Sequence, residues 1–154
     1  MRRVDVNDTG CQVLVFRMGG ACACVDLNSV ERTISLVAMQ PAPGSAAYVA
    51  GIMNYAGISL PVVDLAIRLG LPSSAYTLDT PIVICVHEDK RIALIVEDIV
   101  GIDELKVGDL QLAREFSRYG SAFLASAHTA SGLALQLEPG WLTEVALYPD
   151  EDEL

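Results

Sequence analysis

Four side chains in this sequence have the types and spacing of a metal site. Cys22 and Cys24 are two residues apart, as are Cys85 and His87. Side chains two residues apart on a strand point to the same face, so the two pairs could offer zinc three sulfurs and one nitrogen. The same alternation places the three cysteines in a core, where a free cysteine packs as a small hydrophobic residue. We predict the core role, with zinc binding as the alternative.

Hydrolytic chemistry has little support in the sequence. His87 and His128 are the two histidines, the side chains that ordinarily titrate near neutral pH. Ser126 and Ser131 flank His128, but no carboxylate lies nearby in the sequence and no Gly-x-Ser-x-Gly motif occurs. The pair Gly19-Gly20 is not followed by the Lys-Ser of a phosphate-binding loop. We therefore predict that the chain is not an enzyme and needs no cofactor.

Composition and charge narrow the choice of partners. The chain has 154 residues, of which 52% are hydrophobic and 19% charged, as expected of one globular domain. A formal charge of −10 without a basic stripe argues against nucleic acid as a partner. The apolar runs are too short to insert into a membrane, and the first residues lack the apolar segment of a signal peptide. We expect a cytoplasmic protein with four free thiols, whose partners are proteins or small molecules.

Strand-sized apolar runs dominate the pattern. "CQVLVFRM" and "ACACVDL" are separated by two glycines, which indicates a hairpin because glycine accepts positive φ. "TPIVICVHEDKRIALIVEDI" repeats this arrangement around the turn "EDK", with Val96-Glu97 in the place of Val25-Asp26. "SAFLASAHT" and "GLALQLE" indicate two further strands. This spacing predicts β-barrels or a sandwich, with a weak internal repeat.

Two short helices complete the prediction. Asp64 precedes "LAIRLG" and is predicted to be its N-cap, accepting from unpaired amides of the first turn, while Gly70 ends the helix. A second helix is predicted over residues 139–147, because Pro139 suits a first turn and Trp141 lies on its apolar side.

The stretch "GIMNYAGISLPVVDL", residues 51–65, contains a turn with unusual residues at its tip. Asn54 and Gly57 fit the first and fourth positions of a type I turn, in which the Asn side chain bonds its own backbone. Tyr55 and Ala56 would then project from the tip and have no role in the core. We predict that Tyr55 contacts a partner, since tyrosine is enriched at binding hot spots.

The same stretch is similar to the CheW-like domain of bacterial chemotaxis coupling proteins. The family pattern has a glycine, two apolar residues, Asn, a variable residue, Arg, Gly and a Pro-Val-Asp-Leu-like strand. The segments "VLVFRMGGACACVDLNSVERTI" and "IALIVEDIVGIDEL" also resemble the family, and the resemblance extends over residues 11–147. The matching residues of the opening stretch are Gly51, Ile52, Met53, Asn54, Gly57, Pro61, Val62, Val63, Asp64 and Leu65.

The resemblance implies a mainly β fold of two intertwined five-stranded SH3-like barrels related by pseudo-symmetry, with short helices and a C-terminal helix. Residues 1–10 would be an N-terminal extension and residues 148–154 an acidic tail. It also implies a non-catalytic adaptor that joins the regulatory domain of a CheA-type histidine kinase to the cytoplasmic tips of methyl-accepting chemoreceptors, recruited to membrane-associated arrays. The alternative is a small β-barrel that binds a ligand or a metal.

Two departures from the family pattern fall on expected contact positions. Ala56 stands where the family usually has Arg, so a guanidinium that could fork onto a carboxylate is missing. The family often has Glu two residues after a valine, but here Glu31 follows Val30 directly and Arg32 comes next. Regular strand alternation favours Arg32 for that place. The predicted partner-binding residues are Arg32, Asn54, Tyr55, Ala56 and Gly57, and the predicted turn and cap residues are Gly51, Asn54, Gly57, Asp64 and Gly70.

Overall fold

The computed structural model describes residues 10–112 and 122–148. This part of the chain is mainly β, with two helices of four and five residues. The predicted extension and acidic tail lie almost wholly outside it. The strands are β1 (Cys11–Met18), β2 (Ala21–Asp26), β3 (Val30–Ser35), β4 (Val49–Tyr55), β5 (Ile58–Asp64), β6 (Pro81–His87), β7 (Lys90–Ile95), β8 (Asp98–Leu105), β9 (Leu110–Leu112), β10 (Phe123–Thr129) and β11 (Gly132–Leu137). The helices are α1 (Leu65–Arg68) and α2 (Pro139–Thr143).

The strands form two sheets. One has six strands in the order β8-β1-β2-β11-β10-β9, and the other has five in the order β3-β6-β7-β5-β4. All neighbours are antiparallel except β11 with β2 and β5 with β7. The mainly β prediction is confirmed, with one strand more than expected in the first sheet.

The chain after β3 closes the five-stranded sheet into a barrel. β3 itself is hydrogen-bonded to β6. Just after β3, the Leu36 amide donates to the Thr80 carbonyl at 2.8 Å and extends this pairing. The chain then crosses to the opposite edge, where Gln40 and Ile52 of β4 exchange two backbone hydrogen bonds of 2.8 Å. Gly51 allows this approach, because a Cβ there would lie 2.6 Å from the Gln40 carbonyl oxygen.

The two sheets are intertwined and follow the same plan. Each contains a central hairpin, β1–β2 or β6–β7, whose second strand pairs in parallel with the second strand of another hairpin, β10–β11 or β4–β5. The strand that follows each central hairpin leaves its own sheet: β3 pairs with β6, and β8 pairs with β1. Both crossing strands have a register shift at the same step, leaving Glu31 unpaired in β3 and Val100 unpaired in β8.

The internal repeat predicted from the sequence is therefore present, but its predicted alignment was wrong. The pairs Met18↔Ala21 and His87↔Lys90 close the two central hairpins. Counting from these pairs aligns Val25 with Leu94, not with Val96. Hydrophobicity cannot detect this offset, because Val25, Leu94 and Val96 all lie in the same buried cluster.

The described residues form three hydrophobic clusters. The largest contains side chains from both sheets, including Phe16 and Val25 of one and Val83 and Leu94 of the other. A second cluster, which includes Ile82 and Ile84, is formed by the five-stranded barrel alone, and a third, which includes Val13 and Cys24, by the six-stranded sheet. The shared cluster fixes the sheets against each other, so side chains at the barrel ends are held on a rigid base.

Candidate functional site

The turn between β4 and β5 differs from the type I turn predicted from the sequence. Tyr55 is the last residue of β4 and pairs with Ile58, so the loop is only Ala56 and Gly57. Their φ angles are +50° and +85°, which is typical of the two-residue type I′ turn of a twisted hairpin. Asn54 acts as expected, because its side-chain oxygen accepts from the Gly57 amide at 2.9 Å.

Tyr55 is not a free tip residue, and that expectation was wrong. As the last strand residue it is half-buried and packs against the cluster inside the five-stranded barrel. Its hydroxyl hydrogen-bonds the Glu31 carboxylate, and this contact raises the pKa of Tyr55 above its usual value. Ala56 and Gly57 are exposed. The tyrosine therefore links the β4–β5 hairpin to the start of β3 across the open end of the barrel.

We call this end of the five-stranded barrel the barrel mouth, defined by Glu31, Arg32, Tyr55, Ala56 and Arg91. Arg91, near the start of β7, forks onto Glu31 with Nε 3.1 Å from both carboxylate oxygens and Nη2 2.9 Å from Oε1. The hydrogen bonds from Arg91 and then from Tyr55 lower the pKa of Glu31. The bond to Glu31 in turn raises the pKa of Arg91. The mouth is thus closed by a charged, hydrogen-bonded cluster.

The choice of Arg32 over Glu31 rested on regular alternation along β3, which does not hold here. The register shift pairs Val30 with Cys85 and Arg32 with Ile84, and Glu31 is the extra residue between them. A bulge of this kind redirects side chains locally. Glu31 therefore meets a guanidinium, but it is that of Arg91 rather than one at position 56. Arg32 is exposed beside them, and its charge acts on both Glu31 and Tyr55.

Asp64 lies away from the mouth and is 2% exposed. As the N-cap residue of α1 it accepts from the Ile67 amide at 3.2 Å. Its other oxygen accepts from the Ser73 hydroxyl at 2.6 Å and the Tyr76 hydroxyl at 2.5 Å. The carboxylate thus also fastens the loop between α1 and β6, whose first turn contains Gly70 with φ +75°. A cavity of about 40 Å³ beside it has room for about one water molecule, not for an organic ligand.

Arg68 joins the two helices. Its guanidinium lies 3.6 Å from the ring centroid of Trp141. It also donates to the carbonyls of Trp141, Leu142 and Glu144 at 2.7, 3.1 and 3.2 Å. These carbonyls lie at the C-terminal end of α2. Burial lowers the pKa of Arg68 to about 10. α2 ends at Thr143 rather than at residue 147, because Arg68 binds its last carbonyls and the following chain pairs with Ala46 instead.

The cysteines and His87 are not brought together. Cys24 lies in the core of the six-stranded sheet, with the partly buried Cys22 packed against it, and Cys85 lies in the shared core. Burial raises the pKa of Cys24 and of Cys85 to about 12, so both remain thiols at neutral pH. Within residues 10–112 and 122–148, no three His, Cys, Asp or Glu side chains are placed to hold a metal ion. His87 lies near Gly140 of α2.

Two important residues were missed from the sequence. Arg91 follows the turn "EDK" and Arg68 lies near the end of the first predicted helix, and neither was predicted to be a site residue. Both act through contacts with residues more than 50 positions away along the chain, 60 for Arg91 to Glu31 and 73 for Arg68 to Trp141. Only the charge pairing of Glu31 with some arginine could have been expected in advance.

Comparison with known proteins gives consistent matches. The model of the CheW-like domain family matches residues 12–142. The chain is 28% identical over 117 residues to "Chemotaxis protein CheW" of Rhizobium meliloti, covering 73% of this chain and 76% of that protein. It is 30% identical over 98 residues to "Probable chemotaxis protein CheW" of Rhizobium etli, covering 64% and 63%. The crystal structure of the scaffolding protein TtCheW from Thermoanaerobacter tengcongensis matches with a TM-score of 0.80 at 21% identity, covering 89% of this chain and 94% of that one.

Proposed function

Because the chain belongs to the CheW-like domain family, we propose that it is a non-catalytic adaptor in chemotaxis-type signal transduction. The observation that carries this proposal is the family match over residues 12–142, which spans both sheets. Similar proteins bear the name chemotaxis protein CheW in Rhizobium meliloti and Bacillus subtilis. A solved structure with the same fold is described as a scaffolding protein.

The adaptor would act through protein–protein contacts. One partner is the regulatory domain of a CheA-type histidine kinase, and the other is the cytoplasmic tip of a methyl-accepting chemoreceptor. No helix in the described part of the chain is long and apolar enough to span a bilayer. The protein would therefore reach membrane-associated receptor arrays by binding receptors from the cytoplasm.

The partner surface we propose is the barrel mouth with the adjoining turn, which includes Arg32, Asn54, Tyr55, Ala56 and Gly57. The turn is fixed by the Asn54 hydrogen bond, and Tyr55 is fixed by its contact with Glu31. A rigid surface loses little conformational entropy on binding. Ala56 is exposed and uncharged, so the turn itself supplies shape and the neighbouring strands supply charge.

Calorimetric titration of the purified protein tests the proposal. The protein is titrated with the kinase regulatory domain and, separately, with a receptor cytoplasmic-tip fragment. We expect saturable binding to at least one of them and recruitment of kinase to receptor-bearing membranes only when the adaptor is present. Absence of binding to both, from protein shown to be folded, would refute the adaptor function.

A matched pair of tyrosine variants tests the surface. Tyr55→Phe removes the hydroxyl at the mouth, and Tyr148→Phe removes one from an exposed tyrosine near the C-terminus. We expect weaker partner binding only for the first variant. Equal affinities of the two variants would place the partner surface elsewhere.

A further inference from the structure

The ion pair at the barrel mouth is partly exposed to solvent. The side chains of Arg91 and Glu31 are 34% and 32% exposed. Pairs in such positions contribute little to stability, because water screens them and two long side chains must be held in place. Its forked geometry is nevertheless well defined, with three hydrogen bonds in a single pair. A defined but weakly stabilising arrangement suggests a role in recognition.

The internal repeat provides an independent test of what the fold requires. The residue of the six-stranded sheet that corresponds to Arg91 is Cys22, since each directly follows the second-strand residue of the pair that closes its hairpin, Ala21 or Lys90. Glu31 corresponds in the same way to Val100, the unpaired residue of the other register shift. The second copy of this architecture therefore keeps its bulge without any charged pair. The charges at the mouth are not needed to form the barrel.

The cluster leaves guanidinium donors unused while its carboxylate is saturated. Glu31 already accepts from Arg91 and from the Tyr55 hydroxyl. Arg91 uses Nε and Nη2 for Glu31, and its Nη1 has no acceptor among the described residues. Within the same part of the chain, Arg32 forms no hydrogen bond or ion pair through its side chain. Arg32 follows Glu31 directly in β3, Arg91 binds the Glu31 carboxylate, and the charges of both arginines act on Glu31 and on Tyr55.

We propose that Arg91 and Arg32 together bind a carboxylate side chain of the partner protein, with Glu31 and Tyr55 holding the Arg91 guanidinium in position. This inference rests on the proposed adaptor function and names the chemistry of its partner. Two guanidinium groups can present several donors to one carboxylate, a geometry that an ammonium group cannot reproduce. The chain carries a net charge of −10, which repels an acidic partner at long range, whereas the guanidinium groups of the mouth attract a carboxylate at contact.

Asp89 acts on Arg91 from the adjacent β6–β7 turn and partly offsets the positive potential. Lys90, also beside this turn, is already paired with Glu144. Among the described cationic side chains of the mouth and the β6–β7 turn, the uncompensated donors are therefore those of Arg91 and Arg32. This makes Lys90→Gln a suitable control, since it removes a neighbouring cation that is engaged elsewhere.

The test is a calorimetric titration of wild type and of Arg91→Gln, Arg32→Gln and Lys90→Gln with the kinase regulatory domain and the receptor-tip fragment. For whichever probe wild type binds, each arginine variant should lose about tenfold or more in affinity, because a charged hydrogen bond to the partner is lost. The control should stay within about twofold of wild type. The salt dependence of the dissociation constant should decrease for the arginine variants only.

Two further measurements separate recognition from structure. Glu31→Gln should weaken binding less than Arg91→Gln, because it loosens Arg91 without removing its charge. In NMR spectra, the Nε–Hε signal of Arg91 should shift when the partner is added, a change that a purely structural ion pair would not produce. Thermal unfolding midpoints of all variants should remain close to that of wild type.

The outcomes distinguish the inference from the proposed function. If wild type binds a probe and both arginine variants bind it equally well, the inference is overturned while the adaptor function stands. If wild type binds neither probe, the adaptor function fails and the inference fails with it. A loss of affinity in Lys90→Gln equal to that in Arg91→Gln would also overturn the inference, since general charge attraction would then explain the binding.

Discussion

Removing the Asp64 carboxylate should destabilise the protein well beyond the loss of a helix cap. Its oxygens accept from the Ile67 amide at 3.2 Å, the Ser73 hydroxyl at 2.6 Å and the Tyr76 hydroxyl at 2.5 Å. The cap alone is worth about 1 kcal/mol. Each hydroxyl bond to a charged, buried acceptor adds about 1 kcal/mol once the freed hydroxyl has found water. We therefore expect Asp64→Ala to lower the free energy of unfolding by about 3 kcal/mol.

Equilibrium unfolding in urea measures this loss, with two variants as controls. Asp64→Asn keeps an oxygen for the cap but replaces the charged acceptor of the two hydroxyls with a neutral amide, so it should lose about 2 kcal/mol. Tyr76→Phe removes one bond and should lose about 1 kcal/mol. A double-mutant cycle of Asp64→Ala with Tyr76→Phe should then show coupling. If Asp64→Ala costs only about 1 kcal/mol and the cycle shows no coupling, the loop contacts contribute nothing and the carboxylate is only a cap.

Three further predictions concern the rest of the fold. Arg68→Lys should lower the free energy of unfolding in urea by about 2 kcal/mol, because an ammonium group cannot bond three carbonyls and stack on a ring at once. Full retention of stability would contradict this. Cys24 and Cys85 should react with a thiol reagent at pH 8 only after unfolding, because burial raises the pKa of each thiol to about 12. Native labelling of either residue as fast as free cysteine would disprove that burial. Gly51→Ala should destabilise the protein by about 2 kcal/mol or more, because the new Cβ would lie 2.6 Å from a carbonyl oxygen. The control Gly108→Ala places its Cβ in open space and should change stability by less than about 0.5 kcal/mol.

Local chemistry allowed much of the fold to be predicted. The glycine pair of the first hairpin has φ of +56° and +82°, as a tight β-turn requires, and Asp64 stands at the N-cap of α1. These features depend on neighbours within a few residues, so a short stretch of sequence is enough to predict them. The exchange of β3 and β8 between sheets depends on long-range pairing, and it was reached only through the family resemblance.

The candidate site was predicted less well, for two physical reasons. The end of β4 was placed one residue early, since a type I turn and a two-residue type I′ loop differ only in the backbone angles at positions 55 and 56. Ala56 adopts φ +50° here, a conformation that alanine rarely takes, so residue preferences do not predict a type I′ loop at this position. Strand register along β3 was the second cause, because a single extra residue reverses which neighbour faces a partner strand.

The repeat inside the fold shows which side chains the architecture leaves free. At the mouth of one barrel, Tyr55, Glu31 and Arg91 form a polar cluster, and at the corresponding places of the other sheet stand Thr129, Val100 and Cys22. Both sets accompany the same strand crossings and the same register shifts, so either chemistry is compatible with folding. The N-cap positions of α1 and α2, by contrast, carry a carboxylate in both copies, Asp64 and Glu138. At these equivalent positions the charged cluster around Arg91 is therefore replaced by other side chains without any change in the strand crossing or in the register shift.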